Sequence, residues 1–115
     1  QAAQHIVADM HIALVAARIA AQSAVHAIGR GHTAIRETAI ARIQSATAAK
    51  WATLDAHQLH GGMGYVVETD LYLWSERARV LSTLGGGADI AAAWIDDDEV
   101  SHSAITDRLR RKDGQ

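Results

Sequence analysis

Apolar residues recur at three- and four-residue steps through the first part of the chain, which is the spacing of one face of an α-helix. The main stripe contains Ile6, Met10, Leu14, Ala17, Ala21, Val25 and Ile28. A second stripe of Ile12, Val15 and Ile19 lies beside it. We therefore predict a helix over residues 1 to about 29, and so wide an apolar face predicts neighbours on two sides, as in the middle of a bundle.

A second helix is predicted from about residue 34 to residue 60. Gly29-Arg30-Gly31 ends the first helix, and Thr33 is the expected N-cap of the second. The apolar face of this helix contains Ile40, Ile43, Thr47, Trp51 and Leu54. Gln58 follows on the same stripe and is expected to be buried, where an unpaired amide would cost about 1–3 kcal/mol. Either another helix or a ligand is therefore expected to pair with it.

The pattern becomes more polar and more interrupted after residue 60. Thr69-Asp70 can cap a short third helix, whose inward residues are predicted to be Leu71, Trp74 and Ala78. This helix ends at the next group of glycines.

A fourth helix is predicted to begin near Ala88, with Ile90, Trp94 and Ile95 on its apolar face. The acidic run at residues 96–99 is predicted to be an exposed turn or surface patch. The basic run at residues 108–112 suits the C-terminal end of a helix and its dipole. We treat residues 96–115 as a polar C-terminal extension of a single domain that spans residues 1–115.

Composition agrees with a helical fold. Alanine, the strongest helix former, is the commonest apolar residue, and proline is absent. The predicted fold is an all-α, antiparallel up-and-down four-helix bundle. Because the chain begins in helical phase at Gln1 without an initiator methionine, we expect it to be part of a longer protein.

Charge and motif content argue against several classes of function. The formal net charge of −2 gives no electrostatic reason to bind nucleic acid or an anionic membrane. No apolar run approaches the length of a membrane span and no signal peptide is recognisable, so a cytoplasmic location is expected. The absence of cysteine excludes thiol chemistry. His57 and His60 share a helix face, but no third ligand accompanies them, and we expect no metal site.

The stretch from Gln58 to Tyr65 is the most unusual part of the chain. Gly61, Gly62 and Gly64 follow the second helix directly. Glycines allow the backbone to turn and leave the main chain open to approach by another molecule. Because an apolar run resumes at Tyr65, we predict a buried corner that a second molecule can reach.

The run Gly85-Gly86-Gly87 allows two interpretations from the residues alone. Free N–H groups at the start of a helix can form an anion-binding nest. The same glycines can form a flexible connection between two helices. The residues leave both interpretations open.

Three motifs resemble the C-terminal helical domain of acyl-CoA dehydrogenases. Residues 58–65 read QLHGGMGY and resemble the family signature Q-x-H-G-G-x-G-[YF]. Residues 1–10 resemble the F-Q-x-x-Q-H-x-x-A-D-M run that opens a helix of that domain, without its phenylalanine. Residues 78–81 resemble the segment that leads into the catalytic loop of the family. Order and spacing agree over about residues 1 to 95.

The resemblance implies a domain that mediates oligomerisation and contacts FAD. In the family, the glycine-containing signature reaches the FAD of the neighbouring subunit at its pyrophosphate and adenine end. By this resemblance Gln58, Gly61 and Gly62 would contact FAD in trans, and Gln1 would lie near the adenine. The implied partner is a homologous acyl-CoA dehydrogenase subunit, and the implied substrate of the assembly is an acyl-CoA thioester.

The resemblance also places Gly85 at the position of the catalytic base. Family members remove an α-proton with a carboxylate while hydride leaves the β-carbon for the flavin, and in many of them the base is the Glu of a Y-E-G-T-x-Q loop. Gly85 stands for this Glu, and Gly87 and Asp89 stand for the Thr and Gln that hold the flavin. We therefore assign no catalytic residue to this chain. It resembles the non-catalytic subunit of actinobacterial hetero-oligomeric members that act on steroid-derived acyl-CoA thioesters.

Two alternatives stay open. Some family members carry the base on the helix that precedes this segment, so the chain could belong to a competent homo-oligomeric dehydrogenase. The other alternative is a structural helical oligomerisation module that binds no flavin.

Overall fold

The computed structural model describes residues 1–62 and 70–113. Within these residues there are four α-helices, α1 (Ala2–Gly29), α2 (Ile35–His60), α3 (Leu71–Thr83) and α4 (Gly87–Asp113), and a 3-10 turn at Leu84–Gly86 joins the last two. No strand occurs in this part of the chain, which confirms the all-α prediction. The predicted starts of the first, second and fourth helices lie within one residue of the observed starts.

The second helix is the one against which the others pack. α1 and α2 form an antiparallel hairpin, α2 also packs against α3 and α4, and α1 contacts neither of these in the described residues. His57 near the end of α2 contacts Ser75 in α3, whereas Arg36 near its start contacts Glu99 in α4. α3 and α4 therefore follow one another along α2 and run in the opposite direction to it.

α1, α2 and α3 alternate in direction, as predicted for an up-and-down fold, but α4 runs in the same direction as α3. Because α3 and α4 continue one another, the four helices form three antiparallel rods with α2 in the middle, rather than a closed four-cornered bundle. The prediction that the first helix has neighbours on two sides is wrong for the described residues, in which α1 lies at the edge and packs only on α2. A layer of three rods leaves broad faces of every helix uncovered.

Alanine forms most of the α1–α2 seam. The less exposed residues of α1 are Ile6, Met10, Ala13, Ala17, Ala20, Ala24 and Ala27. These alternate at steps of four and three, as in a coiled-coil seam. Small side chains let two helix axes come close, and the larger residues at adjoining positions then face away. Leu14, Val25 and Ile28 are exposed for this reason, although the sequence predicts them in the buried stripe.

The predicted apolar face of α2 is exposed as well. Trp51 is 58% exposed and Leu54 57%, and Gln58 at the end of the same stripe is also exposed. α2 buries Ala39 and Ala48 instead, because its neighbours cover its alanine-bearing sides. The expected burial of Gln58 is therefore wrong, and its amide is available to another molecule.

The short α3 presents a narrow inward face. Leu71 and Ala78 are half-buried as predicted, but Trp74 is 71% exposed, and its predicted burial is wrong. The half-buried Ser75 lies next to Trp74 in the chain and bonds to α2. Because α3 contacts α2 through a single row of residues, the contact at Ser75 leaves no room between the helices for the large side chain of Trp74.

Two local predictions fail at the helix starts. The residue before α2 is Ala34, with φ 53° and no side-chain cap bond, so Thr33 is not the N-cap. Asp70 precedes α3 with φ 54° and also makes no side-chain cap bond, and Thr69 lies outside the described residues. The acidic run at residues 96–99 lies within α4, so the turn is the wrong one of the two predicted alternatives, and the surface patch agrees with the exposure of Asp96, Asp97 and Glu99.

The chain is elongated and has little core of its own. Its extents are 71 × 28 × 23 Å and its radius of gyration is 19.3 Å, whereas a compact chain of this length would have about 13 Å. The buried residues of the described part are all alanines: Ala24, Ala34, Ala39, Ala48 and Ala91. Large apolar residues lie exposed on all four helices. The described residues do not cover these side chains, and large exposed apolar patches are typical of surfaces that contact another molecule.

One expectation about membranes needs correction. By length and composition alone, α1 could cross a membrane, because a window within it reaches a mean hydropathy of 1.4. Its alanines raise this mean even though polar residues interrupt every apolar run. Core helices of soluble proteins meet the same criterion, so this property does not assign a membrane location.

Candidate functional site

The end of α2 carries the residues for which a ligand contact is predicted. Gln58 lies in the last turn of the helix with its side chain exposed, and Gly61 and Gly62 follow directly and are also exposed. Residues 63–69 lie outside the described residues, and with them the predicted buried corner at Tyr65.

The backbone at Gly61 favours glycine. Its φ is 56° and its ψ is −138°, and its N–H donates to the carbonyl of Gln58. A Cβ atom at Gly61 or Gly62 would meet no described atom within 4 Å. Another molecule can therefore approach the main chain here without steric hindrance from the described residues.

The fold brings the N-terminus of the chain to the same end of the α1–α2 hairpin. Gln1 is exposed at the start of α1, and its carbonyl accepts a hydrogen bond from the N–H of His5 at 3.1 Å. Because α1 and α2 are antiparallel, the start of α1 lies beside the end of α2. Gln1 and the Gln58–Gly62 segment therefore share one end of the hairpin.

The two histidines near this end have separate partners. His57 Nε2 lies 2.6 Å from Ser75 Oγ, which donates to the Leu71 carbonyl at 3.1 Å. The N–H of His57 Nε2 therefore donates a hydrogen bond to the serine oxygen, and this bond connects α2 to α3. His60 Nδ1 lies 2.8 Å from the Ala56 carbonyl of its own helix. No group of three potential metal ligands converges among the described residues.

The connection between α3 and α4 contains the glycine aligned with the family's base. Gly85 has φ 63° and ψ 29°, and φ is 88° at Gly86 and 70° at Gly87. All three lie in the left-handed region that favours glycine. The N–H of Gly87 donates to the Leu84 carbonyl. A tight connection therefore explains these glycines without an anion.

Arg42 of α2 fills the space beside Gly85. A Cβ atom at Gly85 would lie 3.3 Å from Arg42 Nη2. The guanidinium donates to the Leu84 carbonyl, and its central carbon lies 5.8 Å from the centroid of the Trp94 ring, within cation–π range. Arg42 Nε is buried and makes no hydrogen bond with described residues. A cation thus occupies the place that a side chain at position 85 would need.

Arg42 is not among the residues that the sequence pattern singles out. The sequence feature that could identify it is a long cationic side chain within the alanine-rich part of α2, one turn from the buried Ala39. This spacing places Arg42 on a side of the helix that packs, where a long side chain must reach along a neighbour.

The two candidate regions lie far apart. At 1.5 Å per residue, α2 separates Arg42 from Gln58 by about 24 Å along its axis. A single ligand would have to extend over about this distance to reach both the exposed end at Gln58 and the connection at Gly85.

Comparison with known proteins supports the family. The model of the acyl-CoA dehydrogenase C-terminal domain matches residues 1–98. A relative from Mycobacterium tuberculosis (strain ATCC 25618 / H37Rv), named acyl-CoA dehydrogenase IpdE2, is 33% identical over 78 residues, which is 68% of this chain and 23% of the relative. The matched part of the chain thus spans about a quarter of that protein.

No solved structure matches the chain significantly. The family match begins at residue 1, includes the glycine stretch and the Gly85 connection, and ends within α4. The chain therefore belongs to the acyl-CoA dehydrogenase family, of which it forms the C-terminal helical domain.

Proposed function

We propose that this chain is the bundle of an acyl-CoA dehydrogenase assembly that contacts the FAD of a neighbouring subunit through Gln58, Gly61 and Gly62, with Gln1 near the adenine. The assembly dehydrogenates an acyl-CoA thioester between its α- and β-carbons. This chain lacks the catalytic base at Gly85 and is inactive alone. We place the assembly in the cytoplasm and infer a steroid-derived acyl group from the actinobacterial resemblance.

The observation that carries the proposal is the open end of α2. Members of the family generally bind FAD and form oligomers. An exposed amide at Gln58, and two glycines at which a Cβ atom would meet no described atom within 4 Å, fit a diphosphate that arrives from outside the chain. A glutamine side chain can donate to a phosphate oxygen, and the missing Cβ atoms permit the close approach.

The glycine at position 85 agrees with the proposal that this chain supplies no catalytic base. Glycine cannot remove a proton, and the guanidinium of Arg42 lies where a base would extend from this position. FAD supplies the hydride acceptor when it is bound. The proton acceptor then has to come from a carboxylate outside the described part of this chain. A homologous subunit that retains the base is the partner that fits.

The uncovered apolar faces are consistent with such a partner. The stripe on α2 that includes Trp51 and Leu54 is exposed and leads directly to Gln58. A subunit that covers this stripe would bring its own FAD to the end of α2. Burial of these large side chains would drive the association, at about 25 cal/mol per Å² of apolar surface.

The experiment compares two exposed glutamines on α2. Gln58→Ala should weaken FAD binding by the assembled enzyme about two- to tenfold, the effect of one lost hydrogen bond. Gln44→Ala is the matched control, because Gln44 is also exposed on α2 but lies outside the proposed contact. Equal effects of the two substitutions would contradict the proposal.

The same preparation separates the two alternatives. Turnover without a base-carrying partner would favour a competent homo-oligomeric enzyme whose base lies upstream. An assembly that is indifferent to flavin, and to substitution at Gly61 or Gly62, would favour a purely structural module.

A further inference from the structure

The C-terminal half of α4 extends beyond the rest of the fold. Near the middle of α4, Glu99 forms a salt bridge at 2.8 Å with Arg36, which lies at the start of α2. Residues 100–112 are all exposed. The family match ends at residue 98, so this overhang lies outside the part that the chain shares with its family.

The overhang continues the face by which α4 packs on α2. Ala91 is buried and Trp94 is half-buried on that face. Helical spacing places Ile105 and Leu109 on the same side of α4. They are 57% and 58% exposed, since α4 extends here beyond the first residues of α2. The apolar seam therefore runs past its present partner.

A cleft lies between the start of α2 and the beginning of the overhang. Its volume is about 380 Å³, and three of its lining residues are the acids Glu37, Asp98 and Glu99. Glu99 is paired with Arg36, and Asp98 lies 3.8 Å from His102 Nδ1. With one arginine against three carboxylates, the cleft has room and charge for a further cation.

The tip of the overhang carries the complementary charge. Its basic residues are Arg108, Arg110, Arg111 and Lys112, all exposed. At 1.5 Å per residue, Lys112 lies about 10 Å from Ile105 in one direction along the axis, and Asp98 lies about as far in the other. An antiparallel second copy centred on Ile105 therefore places its Lys112 opposite Asp98.

We propose that the overhang of α4 pairs antiparallel with the overhang of a second copy of this chain. Each overhang packs on the apolar seam that α2 does not cover in the other copy. The pairing buries Ile105 and Leu109 and places the basic tip of each copy in the acidic cleft of the other. The arrangement is self-complementary about a two-fold axis, as a dimer of identical chains requires. A seam of this length belongs to the small, transient class of interfaces.

A disulfide trap tests this pairing. The chain contains no cysteine, so Ile105→Cys introduces a single thiol at the two-fold axis. Under mild oxidation this variant should form a covalent dimer at least about tenfold faster than Val100→Cys. Val100 is 67% exposed on the same overhang but lies about 140° around the helix. Equal rates for the two variants, or no dimer with either, would overturn the proposal.

The charge pairing is tested on the same background. Adding Arg111→Glu and Lys112→Glu to Ile105→Cys should slow the cross-link, and the further changes Glu37→Lys and Asp98→Lys should restore it. Failure of this restoration would overturn the register. Sedimentation of the unmodified chain with phosphatidylserine vesicles, without any Ile105→Cys dimer, would replace the second copy with a membrane surface.

Discussion

Gly85 and Gly86 share a left-handed backbone but differ in what surrounds them. A Cβ atom at Gly86 would lie 2.4 Å from Cγ1 and 2.8 Å from Cβ of Ile90. The neighbour of Gly85 is the guanidinium end of Arg42, which is long and can move. Position 86 is therefore closed to any side chain, whereas position 85 is restricted chiefly by its φ of 63° and by the charge beside it.

Gly86→Ala should destabilise the chain by about 1–3 kcal/mol, because it combines a left-handed φ with a clash against a stiff β-branched residue. Gly29→Ala is the control, since Gly29 lies within a helix and a Cβ atom there would meet no described atom within 4 Å. It should be neutral or slightly stabilising. Urea unfolding followed by far-UV circular dichroism measures both. Similar midpoints for the two variants would contradict the geometry at position 86.

Gly85→Glu should not create a working base in this chain. The new carboxylate would meet the Arg42 guanidinium and form an ion pair with it, so that it would be held away from a substrate. Steady-state dehydrogenase assays of the assembly that contains the variant measure this. A rise in turnover with Gly85→Glu alone would show that Arg42 does not control the space beside position 85.

At the scale of the elements, α3 is attached to the end of α2 through one described side-chain bond. Ser75 donates to the carbonyl of Leu71 and accepts from His57 of α2. Ser103 in α4 offers a comparison, because its hydroxyl donates to the Val100 carbonyl of its own helix at 2.9 Å. It bonds to no other helix in the described residues.

Ser75→Ala should lower the free energy of unfolding by about 1 kcal/mol, the net value of an interhelical hydrogen bond. Ser103→Ala should change it by less than about 0.5 kcal/mol, as is usual for an exposed position. Thermal unfolding of both variants under the same conditions gives the comparison. Equal losses would mean that the bond to His57 contributes nothing to holding α3 on α2.

The helices are predictable from the sequence, but their buried faces are not. Period, alanine content and glycine breaks locate both ends of α1 and α2 and the start of α4 closely. Ile40, Trp51 and Leu54 form a regular apolar stripe, and nothing within the chain reveals that the stripe faces outward. A periodic stripe indicates that one face of a helix is suited to packing, but the surface that covers this face can belong to another molecule.

Part of the candidate site is likewise predictable from the sequence, and part of it is not. Gln58, Gly61 and Gly62 are identifiable because their motif is contiguous, and the structure adds that they are exposed. Arg42 is not identifiable from the sequence, because its contact with the Gly85 connection joins two helices far apart in the chain. Such long-range contacts depend on how the rods are arranged.

At the scale of the whole molecule, the chain exposes the kind of apolar surface that forms one side of a protein–protein interface. Three rods in one layer bury alanines and leave the large apolar residues of all four helices in contact with water. Apolar surface of this extent marks protein–protein contact. The proposed flavin contact lies at the end of one of these uncovered faces, so flavin binding and association with a partner should be coupled.

We propose that FAD binds at the end of α2 once another subunit completes the site. The most direct measurement is a titration of FAD, followed by flavin fluorescence, against this chain alone and against this chain assembled with a homologous subunit that carries the base. We predict no saturable binding to the chain alone and stoichiometric binding to the assembly, weakened by Gln58→Ala. Tight, stoichiometric binding of FAD to the isolated chain would contradict the account.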